Sequence, residues 1–365
     1  MASRPSRNLA PDSARPGAQP IRVMVVDDSL TARTVLCKII DKAPDLTLAA
    51  TANTAEQAIE ALKGVDVDVI LLDLEMPGIG GLAGLPAILE EAGDAQVLVV
   101  SALTAKGAEV TIAALSMGAA DTVQKPEPGH FNSAYRAELA DRIRALASGI
   151  VKGRAARPAR ADAVPAIRKA PKTSVRCLAI GGSTGGIHSL CQFLGQLPRD
   201  YPAPIVITQH LPTSFVPIFA SQVQIAAGRP TRIAEDGMTL VPGEVLVAPG
   251  DGHVTFVKKR DKVVVQITYE SAPSGCCPSV DPMLASLADA LDGELIGVVL
   301  SGMGRDGSIG GQQVVDKGGI MLAECPETCA VWGMPRGIAE AGIASQIASP
   351  VELAKWVAAR RILAA

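Results

Sequence analysis

The chain has 365 residues, a net charge of −3 and 48 % hydrophobic residues, enough for two domains that each bury a core. The slight acidity gives no reason to expect a nucleic-acid partner. No apolar run reaches the ~18 residues of a membrane span, so no membrane insertion is expected.

Residues 1–20 carry Arg4, Arg7, Arg15 and several prolines but no apolar stretch, and read as a disordered tail, not a signal peptide. The seven cysteines lack zinc-site spacing and read as reduced thiols of a cytoplasmic protein. Ile21–Val26 reads as a buried strand, followed by a helical pattern through Leu36, Ile39 and Ile40. Further strands are expected at Val67–Leu72, Val97–Ser101 and Asp121–Pro126. Strands alternating with helical segments argue a parallel sheet covered on both faces. Ligands of such sheets collect at the carboxyl ends of the strands. Here those ends carry Asp27, Asp28, Asp73, Ser101 and Lys125. Asp at a strand end is often only a helix cap, but five such residues in this order form a site. Three carboxylates together need a hard cation such as Mg²⁺ among them, and a hydroxyl and a lysine suit the oxygens of a phosphoryl group.

On these residues the first half resembles a two-component receiver domain over about 120 residues, which implies a flavodoxin-like fold. The resemblance implies phosphorylation of Asp73 by a partner histidine kinase, Mg²⁺ held through Asp27, Asp28 and Asp73, and a switch through Ser101 and Lys125. Gly80 departs from it, because such domains often carry Asp or Asn there. From Val151 to Thr173 seven basic residues face the single acid Asp162 and three prolines interrupt the stretch. It reads as a flexible basic linker; nucleic-acid binding is the minor alternative. The expected division is tail 1–20, receiver 21–146, linker 147–173 and a second domain 174–365.

The second domain begins with Cys177-Leu-Ala-Ile-Gly-Gly-Ser-Thr-Gly-Gly186, a strand, a glycine turn and a helix start. Ile187, Leu190, Cys191 and Leu194 follow at helical spacing. Ser183 sits on the turn, where free N–H groups and the helix dipole favour a developing oxyanion. A dinucleotide loop or a purely structural turn would look similar, but Ser183 occupies the second glycine position of the G-x-G-x-x-G fingerprint and no P-loop lysine follows. Ile205–His210 reads as another strand, ending in His210 and followed by Leu211-Pro212. Gly297–Leu300 is another, ending at Ser301-Gly-Met-Gly-Arg-Asp306-Gly307. Three parallel strands thus put Ser183, His210 and Asp306 where they could converge: an imidazole to take the serine proton and a carboxylate to fix its tautomer. Singly, a strand-end histidine is more often structural, and Asp306 could merely cap the following helix. Of the other histidines, His130 lies near the receiver's end, His188 in the helix after Ser183, and His253 after the turn Pro249–Gly252.

With Gln209-His-Leu-Pro212, Ala248–His253, Pro278-Ser-Val-Asp281 and Trp332-Gly-Met-Pro335 added, residues 174–365 resemble the catalytic domain of the chemotaxis protein-glutamate methylesterases. The resemblance implies a doubly wound, largely parallel Rossmann-like α/β domain. It implies hydrolysis of glutamate methyl esters on methyl-accepting chemotaxis receptors, with release of methanol, and deamidation of receptor glutamines. It assigns Ser183 as nucleophile, His210 as general base and Asp306 as orienting acid, puts Thr184 and the Met303 N–H at the oxyanion, and calls for no cofactor in the ester chemistry. It also implies that the unphosphorylated receiver restricts access to Ser183. Cys277 departs from a position often basic, and Pro326 from a stretch that usually lacks proline. The final segment, with Val351, Leu353, Ala354, Val357 and Ile362, reads as a core-packing helix. A non-catalytic receptor-binding scaffold is opposed by the intact Ser, His and Asp. A DNA-binding output is opposed by the size of the domain and its lack of a basic helix.

Overall fold

A computed structural model describes residues 19–101, 105–125, 132–154 and 167–360. The expected tail up to residue 18, His130 and Ile362 lie outside the described residues. Strands β1 Ile21–Val26, β2 Leu46–Ala52, β3 Val69–Leu72, β4 Gln96–Ser101 and β5 Asp121–Gln124 form a sheet in the order β2-β1-β3-β4-β5. All of its pairs are parallel. Helices α1 Leu30–Asp41, α2 Ala55–Leu62, α3 Gly80–Ala92, α4 Ala105–Met117 and α5 Ser133–Arg154 connect and cover it. β3 is buried along its whole length, the mark of a strand covered on both faces. It starts at Val69 because Asp68 turns to hold the Arg22 amide and guanidinium at 2.8 to 3.1 Å.

Sequence reasoning missed β2. It lies at the sheet edge and buries few of its residues, so it has no continuous apolar run to detect. The linker expected from residue 147 also needs correction: α5 runs on to Arg154. Its later residues belong to a basic stretch whose weak amphipathic pattern hid the helix.

The second unit adds β6 Cys177–Gly182, α6 Gly186–Gln196, β7 Ile205–Gln209, α7 Val216–Ala227, β8 Thr231–Ile233, β9 Val245–Val247, β10 His253–Lys259, β11 Lys262–Thr268, α8 Val280–Ala290, β12 Leu295–Val299, α9 Ser308–Asp316, β13 Ile320–Glu324, α10 Met334–Glu340, β14 Ala344–Ala348 and α11 Pro350–Ala358. Seven strands form a parallel sheet in the order β14-β13-β12-β6-β7-β9-β8. The chain runs outward from β6 through β7 on one side and returns through β12 on the other. The strand order therefore reverses at β6/β12, and the crevice beyond those strand ends is where such sheets bind ligands. β10 and β11 form a separate antiparallel hairpin that packs on α8 and was not anticipated. α11 buries Leu353, Ala354 and Val357 and opens on a capping box between Ser349 and Glu352.

The two units share an apolar core. Leu115 and Ala119 at the end of α4 belong to one buried cluster with Ile187 and Leu190 of α6 and Phe215 of the 3₁₀ turn Thr213–Phe215. No helix among the described residues is long and apolar enough to cross a membrane.

Candidate active site and phosphoacceptor site

In the first unit, Asp27, Asp28 and Asp73 bring carboxylate oxygens within 4.8 Å of one another at the carboxyl ends of β1 and β3. Asp27 is 1 % exposed, and Asp28 is exposed. Lys125, directly after β5, bridges Asp27 Oδ2 and Asp73 Oδ2 at 2.8 Å each. Burial raises the Asp27 carboxyl above its ordinary range despite the lysine. Lys125 itself is raised, because its bonds to Asp27 and Asp73 outweigh burial. Ser101, at the end of β4, receives the Thr111 hydroxyl of α4 at 2.7 Å. A cavity of about 200 Å³ is lined by Asp28, Asp73, Ser101 and Lys125. Four of the five residues singled out by sequence thus line one opening, and the fifth, Asp27, is held beside it by Lys125. An all-oxygen cluster with two buried carboxylates and one exposed fits a hard cation that keeps part of its water shell. Gly80 has φ +75°, in the left-handed region that Asn and Asp also enter. The backbone thereby explains why glycine can replace them.

In the second unit, Ser183 follows β6, His210 follows β7 and Asp306 lies six residues beyond the end of the buried run closing at Leu300. His210 Nε2 lies 2.8 Å from Asp306 Oδ2. Asp306 is fixed from several sides: it accepts from Ser279 Oγ at 2.7 Å, Val280 N at 2.7 Å, Asp281 N at 3.1 Å and Gly307 N at 3.0 Å. It therefore does cap a helix start, chiefly that of α8, while it orients the imidazole. Burial alone would raise the Asp306 carboxyl, but the His210 bond and these donors hold it below its ordinary range. For His210 burial pulls downward, and the bonds to Asp306 and Cys276 outweigh it and push the ring up to about 9. With Nε2–H given to Asp306, Nδ1 carries the lone pair of the neutral ring. The two nitrogens exchange the parts they play in the chymotrypsin arrangement.

Ser183 is anchored by its backbone. Its N–H donates to Ser301 O at 3.0 Å, and Gln209 Nε2 donates to its carbonyl at 2.7 Å. Gly185, with φ +77°, lets the turn pass Ser301 and Ala330; a Cβ there would stand 2.6 Å from each. Glu324, at the end of β13 and fully buried, accepts Ser301 N at 2.7 Å, Ser189 Oγ at 3.0 Å and Thr328 Oγ1 at 2.9 Å. Sequence reasoning missed Glu324 and Gln209, although both end strands on the functional edge of the sheet. It also passed over Cys276, beside the exposed Cys277. His253 takes Ser279 N on Nδ1 and meets Glu270 O through Nε2, a structural role.

A cavity of about 480 Å³ lies over this edge, lined by Ser183, His210, Cys276 and Met303 and by Asp121 and Arg142 of the first unit. The first unit thus roofs the cleft. Thr184 Oγ1 donates to Asp121 Oδ2 at 2.8 Å, Gly185 N donates to Ala120 O at 2.6 Å, and His188 Nδ1 meets Ser116 O at 2.9 Å. Arg142 holds the same Asp121 oxygen at 2.8 Å. Thr184, expected at the oxyanion, spends its hydroxyl here on the first unit.

A flavodoxin-like unit with a phosphoacceptor-type carboxylate cluster, closed over the strand ends of a second parallel α/β unit, defines a response regulator with an enzymatic output domain. Residues 23–135 match the response regulator receiver domain model, and residues 178–357 match the CheB methylesterase model. A protein-glutamate methylesterase/protein-glutamine glutaminase of Paramagnetospirillum magneticum is 36 % identical over 97 % of this chain and 100 % of its own length. One of Caulobacter vibrioides is 37 % identical over 93 % of this chain and 99 % of its own. The crystal structure of the Thermotoga maritima CheB methylesterase catalytic domain is 34 % identical, covers 51 % of this chain and 98 % of that one, and has a TM-score of 0.49. The chain belongs to the protein-glutamate methylesterase/protein-glutamine glutaminase family.

Proposed function

We propose that this protein is a phosphorylation-controlled hydrolase that removes methyl groups from glutamate methyl esters of methyl-accepting chemotaxis receptors, releases methanol, and deamidates receptor glutamines. The observation that carries the reading is His210, bonded to a well-anchored Asp306 and lining one cavity with Ser183 at the strand-order reversal of the sheet. Ser183 attacks the ester carbonyl, its proton passing to His210 Nδ1. Asp306 stabilises the imidazolium, which then protonates the departing methanol. Backbone N–H groups of the turn at Thr184 and of Met303 face the oxyanion. Water activated by His210 frees the glutamate. The chemistry needs no cofactor.

In the receiver, Asp73 is the phosphoacceptor and a chemotaxis histidine kinase the donor. Asp27, Asp28 and Asp73 hold Mg²⁺, which when bound offsets charge on acceptor and incoming phosphoryl group. Lys125 and Ser101 meet the phosphoryl oxygens. The reading divides the chain into a tail 1–20, a receiver from 21 that includes all of α5, a linker to 173 and a catalytic domain 174–365. The two family-model matches, 23–135 and 178–357, support that division. The reading puts the protein in the cytoplasm, with no nucleic-acid partner and no membrane insertion. Methanol release from methylated receptor membranes tests it. The wild type releases methanol, and folded Ser183→Ala stays near background. Near-normal turnover by Ser183→Ala would sink the mechanism.

A further inference from the structure

Cys276 lines the cavity with Ser183 and His210, yet no step of ester hydrolysis uses its thiol. Ligand atoms of His210, Cys276 and Asp306 all lie within 4.8 Å of one another. An imidazole, a thiolate and a carboxylate are the donor types zinc takes, and three protein ligands with an open fourth position is the pattern of its exchangeable sites. The cavity provides that open side. At metal–ligand bonds of about 2.0 Å, tetrahedral N and O ligands stand about 3.3 Å apart. His210 Nε2 and Asp306 Oδ2 stand 2.8 Å apart around a shared proton. Exchanging that proton for a metal ion therefore needs the pair to open by only about half an ångström, while Cys276 Sγ, within 4.8 Å of a ligand atom of each, settles at the roughly 3.5 Å that a tetrahedral sulfur ligand requires. A neutral imidazole, a thiolate and a carboxylate also balance a dication, and the sulfur selects against Mg²⁺. The receiver cluster, being all carboxylate, has the opposite preference.

We propose that His210, Cys276 and Asp306 form an inhibitory site for a soft divalent transition-metal cation, of which Zn²⁺ is the representative. Binding releases the thiol proton to solvent. The proton on Nε2 is displaced to Nδ1, and the metal takes its place on Nε2. Ser183 then has no base, because Nδ1 is protonated and Nε2 is coordinated. Asp306, turned toward the metal, no longer orients the ring for proton transfer.

The test uses the full-length protein, reduced with a non-chelating phosphine and in excess Mg²⁺ to fill the receiver carboxylates. CoCl₂ is titrated in and followed by absorption, then displaced by ZnCl₂. The expected result is a thiolate-to-cobalt band that Zn²⁺ removes, that is absent in Cys276→Ser and in His210→Ala, and that persists in Ser183→Ala. Saturating Zn²⁺ should lower methanol release by about a hundredfold, the contribution of a positioned base, and a chelator should restore it. Cys276→Ser, compared with its own zinc-free rate, should lose that response. A cobalt band that survives Cys276→Ser, or the lack of any band, overturns the proposal. Because the band is also read in Ser183→Ala, its outcome is independent of whether the substrate is a methyl ester.

Discussion

At the residue scale, the functional edge depends on how Asp306 is held. Five donors converge on its two oxygens, counting His210. An amide in its place presents an NH₂ group to N–H donors and leaves the imidazole without an acceptor at Nε2. Asp306→Asn is therefore expected to lower methanol release by roughly ten-thousandfold through the wrong tautomer. The assay is kcat on methylated receptor membranes with the unfolding temperature measured alongside; a loss below about tenfold would remove Asp306 from the role of orienting acid. In the receiver, Asp73→Asn should abolish labelling by a small phosphodonor such as acetyl phosphate, and removal of divalent cations should do the same. Labelling that survives either treatment moves the phosphoacceptor elsewhere. Asp73 was legible in the sequence because it sits directly after an apolar run, and Asp306 because it closes the glycine-rich loop that follows one; a strand end is a position that periodicity can locate. Asp121 was not: it was read as the first residue of β5, and nothing local says that its carboxylate crosses to Thr184. Contacts between units leave no periodic trace in either one.

At the element scale, the loops beyond β6, β12 and β13 are tied into one surface. Ser183 N holds Ser301 O, Ser301 Oγ holds Thr184 O at 2.8 Å, and Glu324 holds Ser301 N. Glu324 thus fixes the Ser183 turn through Ser301, at the price of a buried carboxyl raised above its ordinary range by desolvation. Glu324→Ala leaves the Ser301 amide and the Ser189 and Thr328 hydroxyls without their acceptor, at about 1–3 kcal/mol for each buried group that finds no other partner. The expected effect is a fall of several degrees in unfolding temperature together with reduced kcat. Gln recovers much of both: its carbonyl can face the Ser301 amide while its NH₂ donates to the hydroxyls, which also accept. Calorimetry beside methanol release checks this, and an Ala variant as stable as wild type refutes it. The element pattern of the receiver was readable except for β2, whose half-exposed residues carry too little hydrophobic contrast. The catalytic sheet was readable at its centre, where β6, β7 and β12 are buried on both faces. It was less so at β8 and β14, where three of five or fewer residues are buried.

At the scale of the whole molecule, one short strand connects the two sites. β5 runs from Asp121 to Gln124, about 13 Å of extended chain. Beyond its carboxyl end, Lys125 grips Asp27 and Asp73. At its amino end, Ala120 O and Asp121 hold the Gly185 amide and the Thr184 hydroxyl. On the proposed reading, a phosphoryl group on Asp73 would compete for Lys125, which now grips that carboxylate, and for Ser101 on the neighbouring β4. Any displacement of β5 then reaches the turn that carries Ser183 without passing through the linker. The proposed control is therefore release of a roof over a finished site, not construction of the site. The contact is polar at its centre and apolar at its flank, where α4 packs on α6 and α7, so breaking one polar bond should loosen it without detaching the receiver. Asp121→Ala removes the bond to Thr184 and one anchor of Arg142. A net loss of about 0.5–1.5 kcal/mol for the bond predicts a two- to tenfold higher methanol release from the unphosphorylated full chain. Addition of acetyl phosphate with Mg²⁺ should then give correspondingly less further activation, because both changes draw on the same closed state. Wild-type basal activity in Asp121→Ala, with unimpaired stimulation by the phosphodonor, would mean that this bond carries no part of the closure, and the apolar face of α4 would have to supply all of it.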